Sequence, residues 1–380
     1  MSESSTDQRH FGMDWLRIFA FALLILYHIG MYFVPWPWHV NRLEPANWIA
    51  APMVAMNSWR LLLLFLVSGY ASAAIIKKQQ PSYRFLRERT VRLMVPVGFA
   101  MLLIIPPQPW VELVTKSGYQ QSLLHFWTSD YWSFSADWGM FLPTWQHLWF
   151  VCYLWAYTVL LTLLLVTLSS SSRQALSRLS DRLFGGWGVI GVPALLFILL
   201  VTIRGVDSVR LDTWVDGIAA HGVFFGSMLF GYYLYSAERG WAAIRRLWPV
   251  ALVIAILAYA TIMLIKIGWG AGDEPQWAKI GFAVARPVHG WATIIALIGI
   301  ADRYGNRDGK WRAKLTEAVF PFYIVHQTII VLVGFLLLPM LLPVGVELLI
   351  MVTTTAVGCW MFYQIGKTSP WLRPLIGLRR

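Results

Sequence analysis

The stretch MDWLRIFAFALLILYHIGMYFV, Met13–Val34, decides the fold. Its length matches the roughly 20 mainly apolar residues that a helix needs to cross a bilayer, yet it carries Arg17 and His28. Ionisable side chains inside a spanning helix are expensive and mark a working site by default. At roughly 100° and 1.5 Å per residue, the two lie on one helical stripe, ~16 Å apart along the axis. That spacing suits a helix that holds the polar head of a cofactor at one end and works on its reactive tip at the other.

Working outward, the same apolar character fills the chain. Hydrophobic residues make up 58% of the 380 and charged residues only 13%, a composition foreign to a soluble globular domain. The predicted fold class is all-α, a polytopic membrane helical bundle of about ten transmembrane helices. The spans fall near 12–35, 51–76, 91–107, 146–168, 186–203, 216–236, 248–268, 282–302, 316–338 and 345–366. They use most of the chain, so residues 1–380 read as a single membrane-embedded domain.

The segments between spans alternate in charge. Lys77, Lys78, Arg84, Arg87, Arg89 and Arg92 fall in one, Arg173, Arg178 and Arg182 in the next, then Arg239, Arg245 and Arg246. Arg303, Arg307, Lys310, Arg312 and Lys314 fill another, and Lys367, Arg373, Arg379 and Arg380 the tail. The intervening loops hold little beyond Arg42, Lys116, Arg204, Arg210 and Lys279. By the positive-inside rule both termini are expected in the cytoplasm. The net charge of +12 then follows from topology and anionic headgroups, without a nucleic-acid partner. The polar start, with Glu3 and Asp7, leads into a span too long for a signal-peptide core and lacks an A-x-A site, so the first helix is expected to stay attached. Cys152 and Cys359 show no metal-ligand spacing, and neither a disulfide nor a zinc site is expected. No P-loop is present.

Several polar constellations interrupt the apolar background. In the first span, Arg17 keeps its charge and needs an interface or an anion, for which Asp14, one turn earlier, is the nearest candidate. The uncharged imidazole of His28 either takes a proton from a hydroxyl or joins two helices by a hydrogen bond. Arg89 and Arg92, three residues apart on a helix surface, suit bidentate phosphate recognition, or serve only as a topogenic patch. His147, in Gln146-His147-Leu148-Trp149-Phe150, binds substrate or caps an interface. His326, in Tyr323-Ile324-Val325-His326-Gln327, is a ligand or an interhelical hydrogen-bonding group. Arg60, at the outer half of a span, pairs with a substrate carboxylate or snorkels to headgroups. Ser68-Gly69 permits close helix packing, and His221 and His289 read as core residues.

Two loops stand out. The outer segment from about Pro106 to Trp145 is the longest between spans and holds Trp110, Trp127, Trp132, Trp138 and Trp145 with Tyr119, Phe126, Tyr131 and Phe134. Such rings form either an interfacial aromatic belt or a platform for a sugar. Ser169–Ser172 reads as a flexible connector.

At these residues the sequence resembles the acyltransferase 3 family of integral membrane acyltransferases. The signs are Arg17-(ten residues)-His28, Ser68-Gly69-Tyr70, Arg89-Thr90-Val91-Arg92, His147-Leu148-Trp149-Phe150 and Tyr323-Ile324-Val325-His326-Gln327, in the family's order. Trp38-His39-Val40-Asn41, then Glu44-Pro45 and Arg60, resembles the branch of osmoregulated periplasmic glucan succinyltransferases. The resemblance implies a bacterial inner-membrane enzyme that moves a succinyl or acetyl group from a cytoplasmic acyl-CoA to a hydroxyl of a periplasmic or surface glycan. It implies that His28 is catalytic and that Arg89 and Arg92 engage the donor, with Arg17 as a third contact. Asp14, Arg60, His147 and His326 are the candidate substrate-binding residues, acyl-CoA is a co-substrate, and no tightly bound cofactor or metal is expected. The competing reading is a proton-coupled transporter or flippase of a small solute or lipid-linked glycan, in which intramembrane Arg and His serve a transport path. No matched pair of broken hydrophobic segments supports it.

Overall fold

A computed structural model describes residues 10–79, 81–203, 217–269 and 273–379. Glu3, Asp7, Arg204, Arg210 and Arg380 lie outside the described residues. Helices in chain order are α1 (Phe11–Phe33), α2 (Ala50–Asn57), α3 (Arg60–Gln79), α4 (Tyr83–Leu103), α5 (Pro107–Lys116), α6 (Leu123–Thr128), α7 (Trp149–Thr167) and α8 (Ser170–Leu183). They continue as α9 (Gly188–Ile203), α10 (Ile218–Leu234), α11 (Glu238–Gly268), α12 (Gln276–Gly305), α13 (Arg312–Leu337), α14 (Val344–Thr368) and α15 (Leu372–Leu375). Among the described residues there is no strand, and the chain is an all-α polytopic helical bundle.

Seven described helical stretches are long and apolar enough to cross a membrane, nine if each of two bent pairs is one span. One bent pair is α4 with α5, which turn by 44° where Pro106, Pro107 and Pro109 deprive the backbone of donors. The other is α8 with α9, which meet at 101°. The remaining expected span is α10, whose 17 residues cover only ~26 Å, just under the ~30 Å hydrocarbon core. The expected flexible connector at Ser169–Ser172 is instead a helix start. The Ser169 side chain accepts from the Ser172 N–H at 3.1 Å and caps α8.

The helices fall into two compact units. One comprises the chain up to Ala20, Val54–Ser82 and Leu160–Thr316. Its α3 and α10 cross where glycines face each other. A Cβ on Gly69 would lie 1.9 Å from the Met228 carbonyl oxygen, and one on Gly231 1.9 Å from that of Leu66. Only backbones without side chains approach so closely, as small residues allow between membrane helices. In the same unit Arg312 donates to Asp14 at 2.6 Å and to Asp308 at 2.7 Å, and the Trp15 indole donates to the Arg307 carbonyl at 3.0 Å. These contacts fasten the start of α1 to the loop before α13. His289 is buried with its ring nitrogens 3.0 Å from the Ala255 and 2.9 Å from the Ala55 carbonyl oxygens. His221, by contrast, is exposed, so only one of the two expected core histidines is in the core.

The other unit comprises Phe21–Met53, Tyr83–Val159 and the chain from Glu317 on. Here α1 stops before Pro35 and Pro37, and its last carbonyls are taken up by the segment that follows. The Asn41 amide donates to the carbonyls of Met31, Val34 and Trp36, Arg42 N–H to Tyr32, and Ala46 N–H to Phe33. That satisfies the acceptors a helix end leaves open. Arg42 also donates to the buried Glu347 at 2.8 Å. The aromatic segment after α4 folds on itself. Tyr119, Phe126 and Tyr131 are buried, while Phe134, Trp138 and Trp145 stay exposed.

Candidate active site

Two histidines 298 positions apart meet in the second unit. The His326 Nδ1 lies 2.8 Å from the Tyr323 carbonyl oxygen, and its Nε2 lies 2.8 Å from Nδ1 of His28. A carbonyl only accepts, so Nδ1 of His326 carries the proton and its Nε2 the lone pair. His28 Nδ1 must then donate to His326, which leaves the lone pair of His28 on Nε2, the nitrogen suited to take a proton. The backbone of α13 thus sets the tautomer of an imidazole on α1 through one intervening ring.

Tyr323 also anchors a third histidine. His147, in the 3₁₀ turn Gln146–Leu148 that opens α7, directs Nε2 at the carbonyl oxygens of Tyr323 at 3.0 Å and Ile324 at 3.2 Å. The Tyr323 hydroxyl returns a hydrogen bond to the His147 carbonyl. With Nε2 donating, Nδ1 of His147 is a lone pair, buried and without a hydrogen-bond partner among the described residues. The Phe21, Phe150 and Tyr323 rings close one side of the cluster, with centroids 5.7 Å (Phe21 to Tyr323), 5.9 Å (Phe150 to Tyr323) and 6.4 Å (Phe21 to Phe150) apart. Such a wall excludes water and strengthens every polar contact beside it.

Next to His326 in the chain, Gln327 opens a second buried chain of polar groups. Its amide donates to Gln108 Oε1 and to His39 Nε2, each at 3.0 Å. His39 in turn donates from Nδ1 to Glu112 at 2.7 Å. Gln108 donates to Thr328 at 2.7 Å, and Thr328 to the Ile104 carbonyl at 2.8 Å. Each side chain in it has a hydrogen-bond partner, and polar groups connected in this way hold one another in place.

The sequence-predicted residues separate by unit. His28, His147, His326, Arg89 and Arg92 fall in the second; Arg17, Asp14 and Arg60 in the first. Arg89 and Arg92 are half-buried on α4, whereas Arg84 and Arg87 are exposed and Arg84 pairs with Glu88 at 3.0 Å. The pair singled out by spacing therefore stands apart from its basic neighbours. Arg60 is only 8% exposed and donates to Asn57 at 3.3 Å, which sets aside the headgroup-snorkelling reading. His147 is 6% exposed, with its ring turned to the backbone of α13. His326 is the interhelical hydrogen-bonding group, and its partner is His28 itself.

Sequence reasoning missed the Tyr323 carbonyl, which no side-chain pattern announces, and the chain from Glu112 through His39 to Gln108. Gln327 was visible only as a polar neighbour of His326.

The profile of an acyltransferase domain matches residues 10–364. The chain belongs to the acyltransferase 3 family. It is a multi-pass membrane acyltransferase, and family membership favours group transfer over the transporter reading. It is 24% identical over 349 residues to "Glucans biosynthesis protein C" of Shigella boydii serotype 4, covering 87% of this chain and 85% of that protein. Proteins of the same name from Shigella dysenteriae serotype 1 and Escherichia coli O6:K15:H31 are also 24% identical, at the same coverage. No solved structure matches the chain.

Proposed function

We propose that this protein moves an acyl group, succinyl or acetyl, from an acyl-CoA bound on the cytoplasmic side to a hydroxyl of a periplasmic or surface glycan. In this reading it spans the bacterial inner membrane with both termini in the cytoplasm, as one catalytic domain, with no tightly bound cofactor. The observation that carries it is the ordered hydrogen-bond chain from the Tyr323 carbonyl through His326 to His28. His28 Nε2 takes the proton of the acceptor hydroxyl as its oxygen attacks the thioester carbonyl. When the carbon–sulfur bond breaks, the imidazolium returns that proton to the leaving thiolate. His326 Nε2 holds the Nδ1–H of His28 throughout and so stabilises the ring when it is charged, the task of the orienting partner in other base-assisted acyl transfers.

Arg89 and Arg92 supply guanidinium forks for the donor's phosphates. Arg17, ~16 Å along α1 from His28, is assigned to the same donor, and Asp14 is the carboxylate at that end of the helix. His147 Nδ1 is an acceptor for a sugar hydroxyl. Arg60 pairs with the free carboxylate of a dicarboxylic acyl group. The relatives' name, glucans biosynthesis protein C, supports a glucan as the acceptor.

The test is mass spectrometry of surface glycans from cells carrying the parent, His28→Ala, or neither. The parent alone should yield acylated glycan, and the mass added identifies the acyl group. A His28→Ala product level within a few fold of parent would overturn the general-base role, since such groups typically supply ~10²–10⁴-fold.

A further inference from the structure

Helix α8 has no buried residue, and its circumference divides into thirds. At 100° per residue, Leu176, Leu179 and Leu183 share an arc of about 60°. Gln174, Arg178 and Arg182 occupy another, centred about 130° away. The half-buried Arg173, Ser177, Ser180, Asp181 and Phe184 make the third, which faces the protein. The leucines are 37%, 51% and 45% exposed. A soluble surface helix turns its apolar stripe inward; this one turns it sideways, beside an outward basic stripe.

Two devices hold α8 in that attitude. The Asp181 carboxylate accepts the backbone N–H groups of Arg239 at 2.9 Å and Gly240 at 3.2 Å, in the first turn of α11. The link to α9 is Phe184-Gly185-Gly186-Trp187-Gly188, in which Gly186 has φ +57° and a Cβ on Gly188 would lie 1.8 Å from the Leu183 carbonyl oxygen. The backbone angle favours glycine at the first place and the close approach requires it at the second, and the link carries the 101° bend. If α9 crosses the bilayer near its normal, α8 lies in the plane of the membrane surface. Trp187, 61% exposed, then sits at the interface, where indoles concentrate.

We propose that α8 is an in-plane anchor. It sinks Leu176, Leu179 and Leu183 into the acyl boundary of the leaflet on the side of the basic loops, and it binds anionic phospholipid headgroups through Arg178 and Arg182. An amphipathic helix with one apolar face and a basic polar face binds membranes in this way. Anionic lipid is the occupant favoured by charge, and each arginine near such a surface contributes about 1 kcal/mol, or about five-fold in affinity.

Two measurements on the full chain test it. In a Cys152→Ser/Cys359→Ala background reconstituted in phosphatidylglycerol-containing nanodiscs, nitroxide labels at Leu176→Cys, Leu179→Cys and Leu183→Cys should collide with oxygen, and labels at Gln174→Cys and Arg178→Cys with aqueous nickel chelate. Equal nickel accessibility at the two sets overturns the proposal. In detergent, titration with phosphatidylglycerol followed by native mass spectrometry should show about 25-fold weaker binding for Arg178→Gln/Arg182→Gln, with Arg87→Gln as the control. Unchanged affinity overturns it, as does displacement of the lipid by equimolar inorganic phosphate, which would make the stripe a free-anion site.

Discussion

Replacing His326 with alanine removes the acceptor that lies 2.8 Å from His28 Nδ1 and leaves the Tyr323 carbonyl with one imidazole donor fewer. His28 then either keeps its proton on Nδ1 without that acceptor or moves it to Nε2, where it blocks the base. A buried donor that loses its partner costs about 1–3 kcal/mol, which corresponds to a rate loss of roughly 5- to 150-fold. That is smaller than the ~10²–10⁴-fold expected for His28→Ala, which removes the base itself. His326→Gln carries a side-chain oxygen near the place of the imidazole Nε2 and should recover most of the loss. The double variant His28→Ala/His326→Ala should be no slower than His28→Ala, because the two residues act as one unit. The assay is single-turnover acyl transfer by purified protein in nanodiscs, with thermal unfolding to confirm that each variant is folded. A folded His326→Ala within two-fold of parent, or a His326→Gln as slow as His326→Ala, would refute the relay.

Arg89→Ala and Arg92→Ala should each weaken acyl-CoA binding by about 10- to 150-fold, the worth of a charge-assisted hydrogen bond, while Arg84→Ala, already paired with Glu88, leaves it unchanged; calorimetry in detergent decides. Arg60→Met should depress transfer of succinyl far more than of acetyl, because a buried carboxylate stripped of its partner costs several kcal/mol; equal losses with the two donors would remove Arg60 from acyl recognition. Gly69→Val should lower the melting temperature sharply through the clash 1.9 Å from the Met228 oxygen, with overpacking worth about 1–3 kcal/mol or more. Gly98→Ala, which meets nothing within 4 Å, should not.

The long helices were legible because an apolar run of about 20 residues has one outcome in a bilayer. Gly69 was legible too, as a small residue in such a run. Helix α8 was not, because its opening SSSR dominates a short window and hides the spacing of Leu176, Leu179 and Leu183. The expected span near 51–76 lies within one apolar helical stretch, Asn47–Gln79, and the turn at Ser58 and Trp59 that divides α2 from α3 carries no proline or glycine to announce it. At the candidate site each histidine stood out alone as a polar group in an apolar span. Their convergence was hidden, since His28 and His326 are distant in sequence and the joint between His147 and His326 is a backbone oxygen. The pairing of His39 with Glu112 was beyond reach for the same reason, as no periodicity links groups 73 positions apart.

His326 and Gln327 are consecutive, so on α13 they project about 100° apart, and each is gripped from a different direction, one by His28 and the other by Gln108 and His39. Two grips at different azimuths fix the rotational phase of a helix as a key fixes a shaft. Inserting one residue after Pro321 would advance everything beyond it by about 100° and release both grips together, along with the carbonyl that seats His147. A substitution along this part of α13 disturbs one contact at a time, whereas a change in its residue count disturbs them all.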